Sequence, residues 1–192
     1  NALDADENKI NLLIRDSKIV EISKEPFAAD EIIDANGGIV GPGLVDLHTH
    51  LREPGREDAE TIESAMQAAI AGGFTAISAM ANTNPVADNA AVVELVKTKA
   101  NQVGTCDVFP IGAVTKNLEG KELADIAGMV NSLACVKIFS DDGKCISNAR
   151  IMRRAMEYID TFGGFISQHA QEPELTIHSQ MNESVLSHQL GL

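Results

Sequence analysis

The sequence predicts an α/β protein in which helices cover a parallel sheet. From residue 39 onward, short apolar runs alternate about five times with longer amphipathic runs. The short runs are apolar throughout, which is typical of parallel strands buried on both faces. The longer runs have helical periodicity and end at glycines or turn residues. A (β/α)8 barrel and a doubly wound sheet both satisfy this pattern. No G-x-G-x-x-G follows a strand, which disfavours a dinucleotide-binding sheet.

The first 38 residues have a different pattern and predict a separate β-rich part. The runs KINLLIR and KIVEIS flank Asp16-Ser17, which are turn residues, so a hairpin is expected. A further β-type run, EIIDANGGIV, contains a turn signal at Gly37-Gly38. We therefore expect one structural part over residues 1–38 and another over residues 39–192.

The elements of the second part follow one another in strand–helix order. The predicted strands are IVGPGLVDLHTH, TAISAMAN, CDVFPIGAV, ACVKIFSD and GFISQHAQ. The predicted helices are DAETIESAMQAAIAGG, AAVVELVKTKANQVG, KELADIAGMVNSL and SNARIMRRAMEYIDTFG. A complete (β/α)8 barrel needs roughly 250 residues. Five strands without an obvious closing element therefore predict that the chain is an incomplete barrel.

Composition excludes several classes of function. The formal net charge is −13, whereas binders of nucleic acid or anionic membranes need a basic surface. The N-terminus is acidic and polar, unlike a signal peptide, and no apolar run reaches the roughly 18 residues of a membrane span. The cysteines Cys106, Cys135 and Cys145 form no CxxC pair, and their odd number predicts reduced thiols in a cytoplasmic protein.

Imidazole and carboxylate groups lie at the ends of three predicted strands. His48 and His50 are two residues apart in one strand, so their side chains are expected on the same face. Asp141 and Asp142 follow a second strand, and His169 ends a third. Because active sites of α/β barrels form at the C-terminal ends of the strands, these groups predict a metal centre.

Two further polar residues lie in loops at the same predicted rim. Arg52 follows the paired histidines, where it could hold a substrate carboxylate in bidentate fashion. Asn82 lies in the segment MANTNPV at the end of the next strand. On its own, that segment fits a loop that caps the following helix equally well.

Four motifs together resemble the dihydroorotases of the amidohydrolase superfamily: PGLVDLHTHLREPG, MANTNPV, FSDDG and SQHAQE. The resemblance runs from about residue 10 to the end of the chain but covers only about half of the family's usual length. It implies a (β/α)8 TIM-type barrel, here partial, with a small β-sandwich part at the N-terminus. It also implies zinc-dependent, reversible interconversion of L-dihydroorotate and N-carbamoyl-L-aspartate in pyrimidine biosynthesis.

The resemblance also implies roles for individual residues. One or two zinc ions would be held by His48, His50, Asp142 and His169. The nucleophile would be a metal-bound hydroxide. Arg52 and Asn82 match the residues that grip the substrate carboxylate. Lys137 leaves an alternative open, because some relatives use a carboxylated lysine near this position instead of an aspartate.

The family pattern also includes groups that the sequence does not match. A further histidine ligand and the general-base aspartate are expected beyond Leu192, so a polypeptide of residues 1–192 is expected to be inactive. His178 and His188 follow His169 too closely to begin another barrel strand, and we interpret both as non-ligands.

Other functions remain open from the sequence alone. The HxH element would also suit a hydantoinase or an allantoinase. A non-catalytic homologue that serves as a scaffold for aspartate transcarbamoylase is a further alternative, although the intact ligand set argues against it. Expected partners are the small-molecule substrate, a homo-oligomer or aspartate transcarbamoylase, with no nucleic acid or membrane.

Overall fold

A computed structural model describes residues 2–192. The chain divides into two units, with the boundary after Gly43. In the first unit, strands β1 (Ala2–Leu3), β2 (Lys9–Arg15) and β3 (Lys18–Ser23) form an antiparallel sheet in that order. Asp16 and Ser17 join β2 to β3 with φ of 49° and 60°, the positive values that tight hairpin turns require. The predicted hairpin is confirmed.

The run at residues 31–40 does not form the predicted β structure. Ile39 makes an isolated parallel bridge to Leu3, and the rest of the run lies outside any strand. The expected turn is present, because the Gly38 amide donates to the Ala35 carbonyl over 2.8 Å. Ile32 and Ile33 are 78% and 85% exposed, so these apolar side chains are not buried among the described residues.

The second unit is built on parallel strands. Strands β4 (Leu44–Thr49), β5 (Phe74–Ala79) and β6 (Asp107–Pro110) pair in parallel in sequence order. Strands β7 (Ile138–Phe139) and β8 (Phe165–Ile166) form a second parallel pair. A parallel bridge from Gly112, just past β6, to Phe139 connects the two sheets. All five predicted strands are present and parallel, which confirms the α/β class.

Helices connect the strands and begin at polar capping residues. They are α1 (Ile62–Ala71), α2 (Ala90–Val103), α3 (Ile126–Asn131), α4 (Ala149–Asp160) and α5 (Val185–Leu190), with a 3₁₀ turn at Lys116–Leu118. Thr61 caps α1 in a reciprocal arrangement with Ser64, and Asn89 caps α2. Gly104 ends α2 in the left-handed conformation. Helix α5 and the 3₁₀ turn were not predicted.

The apolar core lies between the helices and the parallel strands. One cluster packs α1 and α2 against β5 and β6, and includes Ile62, Met66, Ile77, Val96 and Val108. A second packs α2, α3 and α4 around β7, and includes Val93, Ile126, Met129, Phe139 and Ile159. Within residues 2–192, no helix combines the length and the apolar character needed to cross a bilayer.

Strand β4 departs from the expectation of burial on both faces. Leu44, Val45 and Leu47 are 53%, 57% and 65% exposed. The reason is its position at the edge of the sheet, where it pairs with β5 and with no other strand among the described residues. Its apolar sequence therefore predicted the strand correctly and its burial incorrectly.

Candidate metal centre

Two histidines project from the end of β4 toward the same point. His48 lies in the strand and His50 immediately follows it, and their rings meet edge to face with centroids 5.2 Å apart. The Nε2 atoms of both reach the carboxylate of Asp142. Asp46, two residues earlier, accepts a hydrogen bond from the His48 amide over 3.0 Å. The i, i+2 spacing thus places both imidazoles on one side of the strand, as predicted.

The carboxylate of Asp142 lies at the centre of the cluster. Its Oδ1 is 3.4 Å from His48 Nε2, and its Oδ2 is 3.5 Å from His50 Nε2. The residue is only 7% exposed. Ligand atoms of His48, His50 and Asp142 lie within 4.8 Å of one another.

His169, just past β8, reaches the same carboxylate from another strand. Its Nδ1 is 3.2 Å from Asp142 Oδ1, and its Nε2 is 3.2 Å from Gln171 Oε1. It lies outside the compact group formed by the other three residues and is connected to it through Asp142. The structure therefore brings together side chains from the C-terminal ends of three parallel strands.

The donor set and its spacing fit a metal ion. Ligand atoms about 2.0–2.1 Å from a tetrahedral zinc ion lie about 3.3 Å from one another. His48 Nε2 is 3.4 Å from one oxygen of Asp142, and His50 Nε2 is 3.5 Å from the other. Neutral imidazoles and a carboxylate are also ligands that zinc accepts. His48, His50 and Asp142 can therefore supply ligand atoms to one metal ion.

Asn82 contacts a histidine of this cluster. Its Oδ1 lies 2.9 Å from His50 Nδ1. An amide oxygen can only accept a hydrogen bond, so this contact places the proton of the neutral ring on Nδ1 and leaves the Nε2 lone pair facing Asp142. No local sequence pattern indicates this contact.

Arg52 lies in the loop that follows β4. Its side chain is exposed and makes no hydrogen bond or ion pair within residues 2–192. The backbone of this loop is joined to the loop after β5, because the Asn84 amide donates to the Pro54 carbonyl over 3.0 Å. Gly55 lies at this junction with φ of 104°, and a Cβ there would collide with the Asn84 carbonyl oxygen. The loops that carry Arg52 and Asn82 therefore form one connected rim.

Lys137 points to a different partner. Its Nζ donates to the Phe162 carbonyl over 2.8 Å, and the residue is exposed. Phe162 precedes β8, whereas Asp142 follows β7, so this amine is engaged near the N-terminal ends of the parallel strands. His178 and His188 are exposed and belong to no metal-binding group among the described residues.

Asp141 has a structural environment unlike that of its neighbour Asp142. It is 1% exposed, and its Oδ1 accepts hydrogen bonds from the amides of Val114 (2.8 Å) and Thr115 (3.0 Å). The Thr115 hydroxyl donates to its Oδ2. Burial raises the pKa of Asp141, although these hydrogen bonds act in the opposite direction. Asp141 thus fixes the turn that carries Asp142, a role that the sequence could not assign.

Comparison with known proteins identifies the family. The family model described as dihydro-orotase-like matches residues 37–192. The chain belongs to this dihydro-orotase-like family. It is 55% identical over 179 residues to a dihydroorotase of Streptomyces coelicolor, covering 92% of this chain and 42% of the relative. It is 52% identical over 192 residues to a dihydroorotase of Leifsonia xyli, covering 100% of this chain and 44% of the relative.

The family resemblance seen in the motifs is thereby confirmed. The chain spans less than half the length of these dihydroorotases. Among solved structures, it is similar to the L-hydantoinase (dihydropyrimidinase) from Arthrobacter aurescens, with a TM-score of 0.71 and 23% identity. That match covers 86% of this chain and 38% of the hydantoinase, and it supports the fold alone.

Proposed function

We propose that this chain is the N-terminal part of a zinc-dependent dihydroorotase. The enzyme would interconvert L-dihydroorotate and N-carbamoyl-L-aspartate in pyrimidine biosynthesis. The observation that carries the proposal is the convergence of His48, His50 and Asp142 in a chain of the dihydro-orotase-like family. Relatives that bear the name dihydroorotase are up to 55% identical to it.

We further propose how the residues of the cluster act. His48, His50, Asp142 and His169 would hold one or two zinc ions, with Asp142 rather than Lys137 as the shared carboxylate ligand. This assignment rests on the distances to Asp142 and on the engagement of Lys137 with Phe162. When bound, zinc would supply Lewis acidity for attack of water on the ring amide.

The loops around the cluster would bind and orient the substrate. The free guanidinium of Arg52 would pair with the substrate carboxylate, and the side-chain NH₂ of Asn82 remains available for the same group while its oxygen faces His50. Fixing the substrate in this way makes the reaction effectively unimolecular. A further histidine ligand and a general-base aspartate beyond Leu192 remain predictions.

The architecture beyond the described strands is also proposed. Residues 39–192 would form the first half of a (β/α)8 barrel, and residues 1–38 would contribute to a small β-sandwich. The in-order parallel arrangement of β4 to β8 supports the barrel, and the antiparallel β1–β3 sheet supports the sandwich. A cytoplasmic location, a homo-oligomer and a complex with aspartate transcarbamoylase stay predictions.

Turnover assays on the protein at its full natural length test the proposal. Zinc-loaded protein should interconvert dihydroorotate and carbamoyl aspartate in both directions. Arg52→Ala should raise KM for dihydroorotate by about tenfold or more, because one charge-assisted pair is lost. Hydantoin has no carboxylate. If the unaltered protein hydrolysed hydantoin and did not turn over dihydroorotate, it would instead be identified as a hydantoinase. Absence of both turnover and bound zinc would favour the scaffold.

A further inference from the structure

Arg52 is held in an unusual backbone conformation. The Glu53 amide donates to the Leu51 carbonyl over 2.7 Å, which makes Arg52 the central residue of a three-residue γ-turn. Its φ is 60°, in the left-handed region. γ-Turns with positive φ at the centre are rare and strained, and they persist only where the surrounding structure holds them. The contacts on either side of Arg52 must therefore maintain this turn.

Both neighbours of Arg52 are buried, although Arg52 itself is exposed. Leu51 is 2% exposed and packs in the core between α1, α2 and the sheet. Glu53 is 8% exposed, and a carboxylate is rarely buried to this extent unless it is paired. The turn therefore presents the Arg52 side chain to solvent between two anchored residues.

The carboxylate of Glu53 connects the turn to two helices. Its Oε2 accepts a hydrogen bond from the Ile62 amide, over 2.8 Å, in the first turn of α1. Its Oε1 forms an ion pair with Nζ of Lys99 on α2. A carboxylate at a helix N-terminus also interacts favourably with the helix dipole.

The charge of Lys99 balances a carboxylate that is largely withdrawn from water. Burial alone would raise the pKa of Glu53, but the hydrogen bonds from Lys99 and the Ile62 amide and the charge of Lys99 lower it overall. Removing one partner of such a pair leaves an uncompensated buried charge, which is more costly than losing a surface pair. Loss of Lys99 should therefore displace Glu53 and, with it, the adjacent turn.

We propose that the Glu53–Lys99 ion pair positions Arg52 for recognition of the substrate carboxylate. This inference rests on the proposed function, in which Arg52 binds that carboxylate. Neither Glu53 nor Lys99 would touch the substrate. Both act through the backbone of the γ-turn, so they are positioning residues for binding rather than for the chemical step.

Kinetics of variants of the full-length, zinc-loaded protein test this role. Lys99→Met and Glu53→Gln should each raise KM for dihydroorotate about tenfold and change kcat by less than about twofold, because an Arg–carboxylate contact is weakened while the reacting atoms are unaffected. The double variant should be no worse than the poorer single variant, since both remove the same pair. Lys99→Arg, which keeps the charge, should restore a KM near that of the unaltered protein.

A control variant and the zinc content distinguish a positioning role from a general loss of structure. Arg153→Met breaks an exposed pair with Glu157 on α4 and serves as the matched control. Its KM should not change. Zinc content should be the same in all variants. Unchanged KM in both Lys99→Met and Glu53→Gln would overturn the proposal, and so would a fall in kcat or zinc content that accounts for the whole loss of activity.

Hydrogen exchange gives a result that does not depend on the reaction. The amides of Glu53, Arg56 and Ile62 are hydrogen-bonded within or to this loop. Lys99→Met should accelerate exchange over residues 52–62, and Arg153→Met should not. If the unaltered protein did not turn over dihydroorotate, the proposed function would fail. The exchange result would then decide alone whether the ion pair holds the turn, and equal exchange in both variants would refute it.

Discussion

Removal of the Asn82 side chain should weaken metal binding without removing a ligand. The Oδ1 of Asn82 lies 2.9 Å from Nδ1 of His50, and the Nε2 atom on the other side of that ring faces Asp142. In Asn82→Ala the ring loses the contact that fixes both its orientation and the position of its proton. Part of the ring population would then present a protonated Nε2, which cannot bind a metal.

The size of the effect follows from the behaviour of groups that orient metal ligands. Loss of such a partner typically reduces metal affinity by about 10–100-fold. This corresponds to about 1.4–2.7 kcal/mol of binding free energy. The upper end is expected if a protonated Nε2 then donates to Asp142 Oδ2, because that hydrogen bond stabilises the tautomer that cannot bind a metal. Asn82→Asp should preserve or increase the affinity, because a carboxylate is a stronger acceptor and makes the imidazole a better donor to the metal.

Competition with a chromophoric chelator measures this affinity directly. The metal-free, full-length protein is titrated with zinc in the presence of the chelator, independently of any substrate. Asn101→Ala is a suitable control, since Asn101 is exposed on α2 and distant in sequence from every cluster residue. Equal zinc affinities for Asn82→Ala, Asn101→Ala and the unaltered protein would refute the reasoning and leave Asn82 with a role in substrate binding only.

Three other predictions concern the ligand set, the loops and acid stability. Asp142→Ala should lose bound zinc in elemental analysis, whereas Lys137→Ala should retain it; zinc retained in the first and lost in the second would make the lysine the bridging ligand. Gly55→Ala should reduce the free energy of unfolding in urea by about 1–3 kcal/mol, because φ is 104° and the added Cβ meets the Asn84 carbonyl oxygen; an unchanged midpoint would contradict this. The lowered pKa of Glu53 contributes stability that is present above its ordinary value of 4.5 and is lost as pH falls through the folded-state pKa. The stability difference between the unaltered protein and Glu53→Gln should therefore shrink on acidification below about pH 4.5, and a constant difference would argue against the charged pair.

Local sequence patterns predicted the elements that depend on local physics. Strand–helix alternation identified all five parallel strands, and Asp16-Ser17 correctly indicated the hairpin. The spacing of His48 and His50 was enough to place them on one face, because side-chain direction in a strand has a period of two residues. The family motif FSDDG then predicted Asp142 as a metal ligand.

Features that depend on contacts between distant segments could not be predicted. The sequences around β7 and β8 suggested strands of about eight residues, but only Ile138–Phe139 and Phe165–Ile166 are paired. Strand length is set by the neighbouring strand rather than by local preference. The contacts of Asn82 with His50 and of Glu53 with Lys99 join residues far apart in the sequence, and no local signal encodes them.

The hydrogen bond from the Asn84 amide to the Pro54 carbonyl has a consequence for redesigning this scaffold. It couples the backbones of two loops that would each contribute one group to substrate recognition, so the best residue in one loop depends on the shape of the other. A library that randomises a single loop samples only shapes that the fixed loop tolerates. Directed evolution toward a new ring substrate should therefore diversify both loops together and select for paired changes.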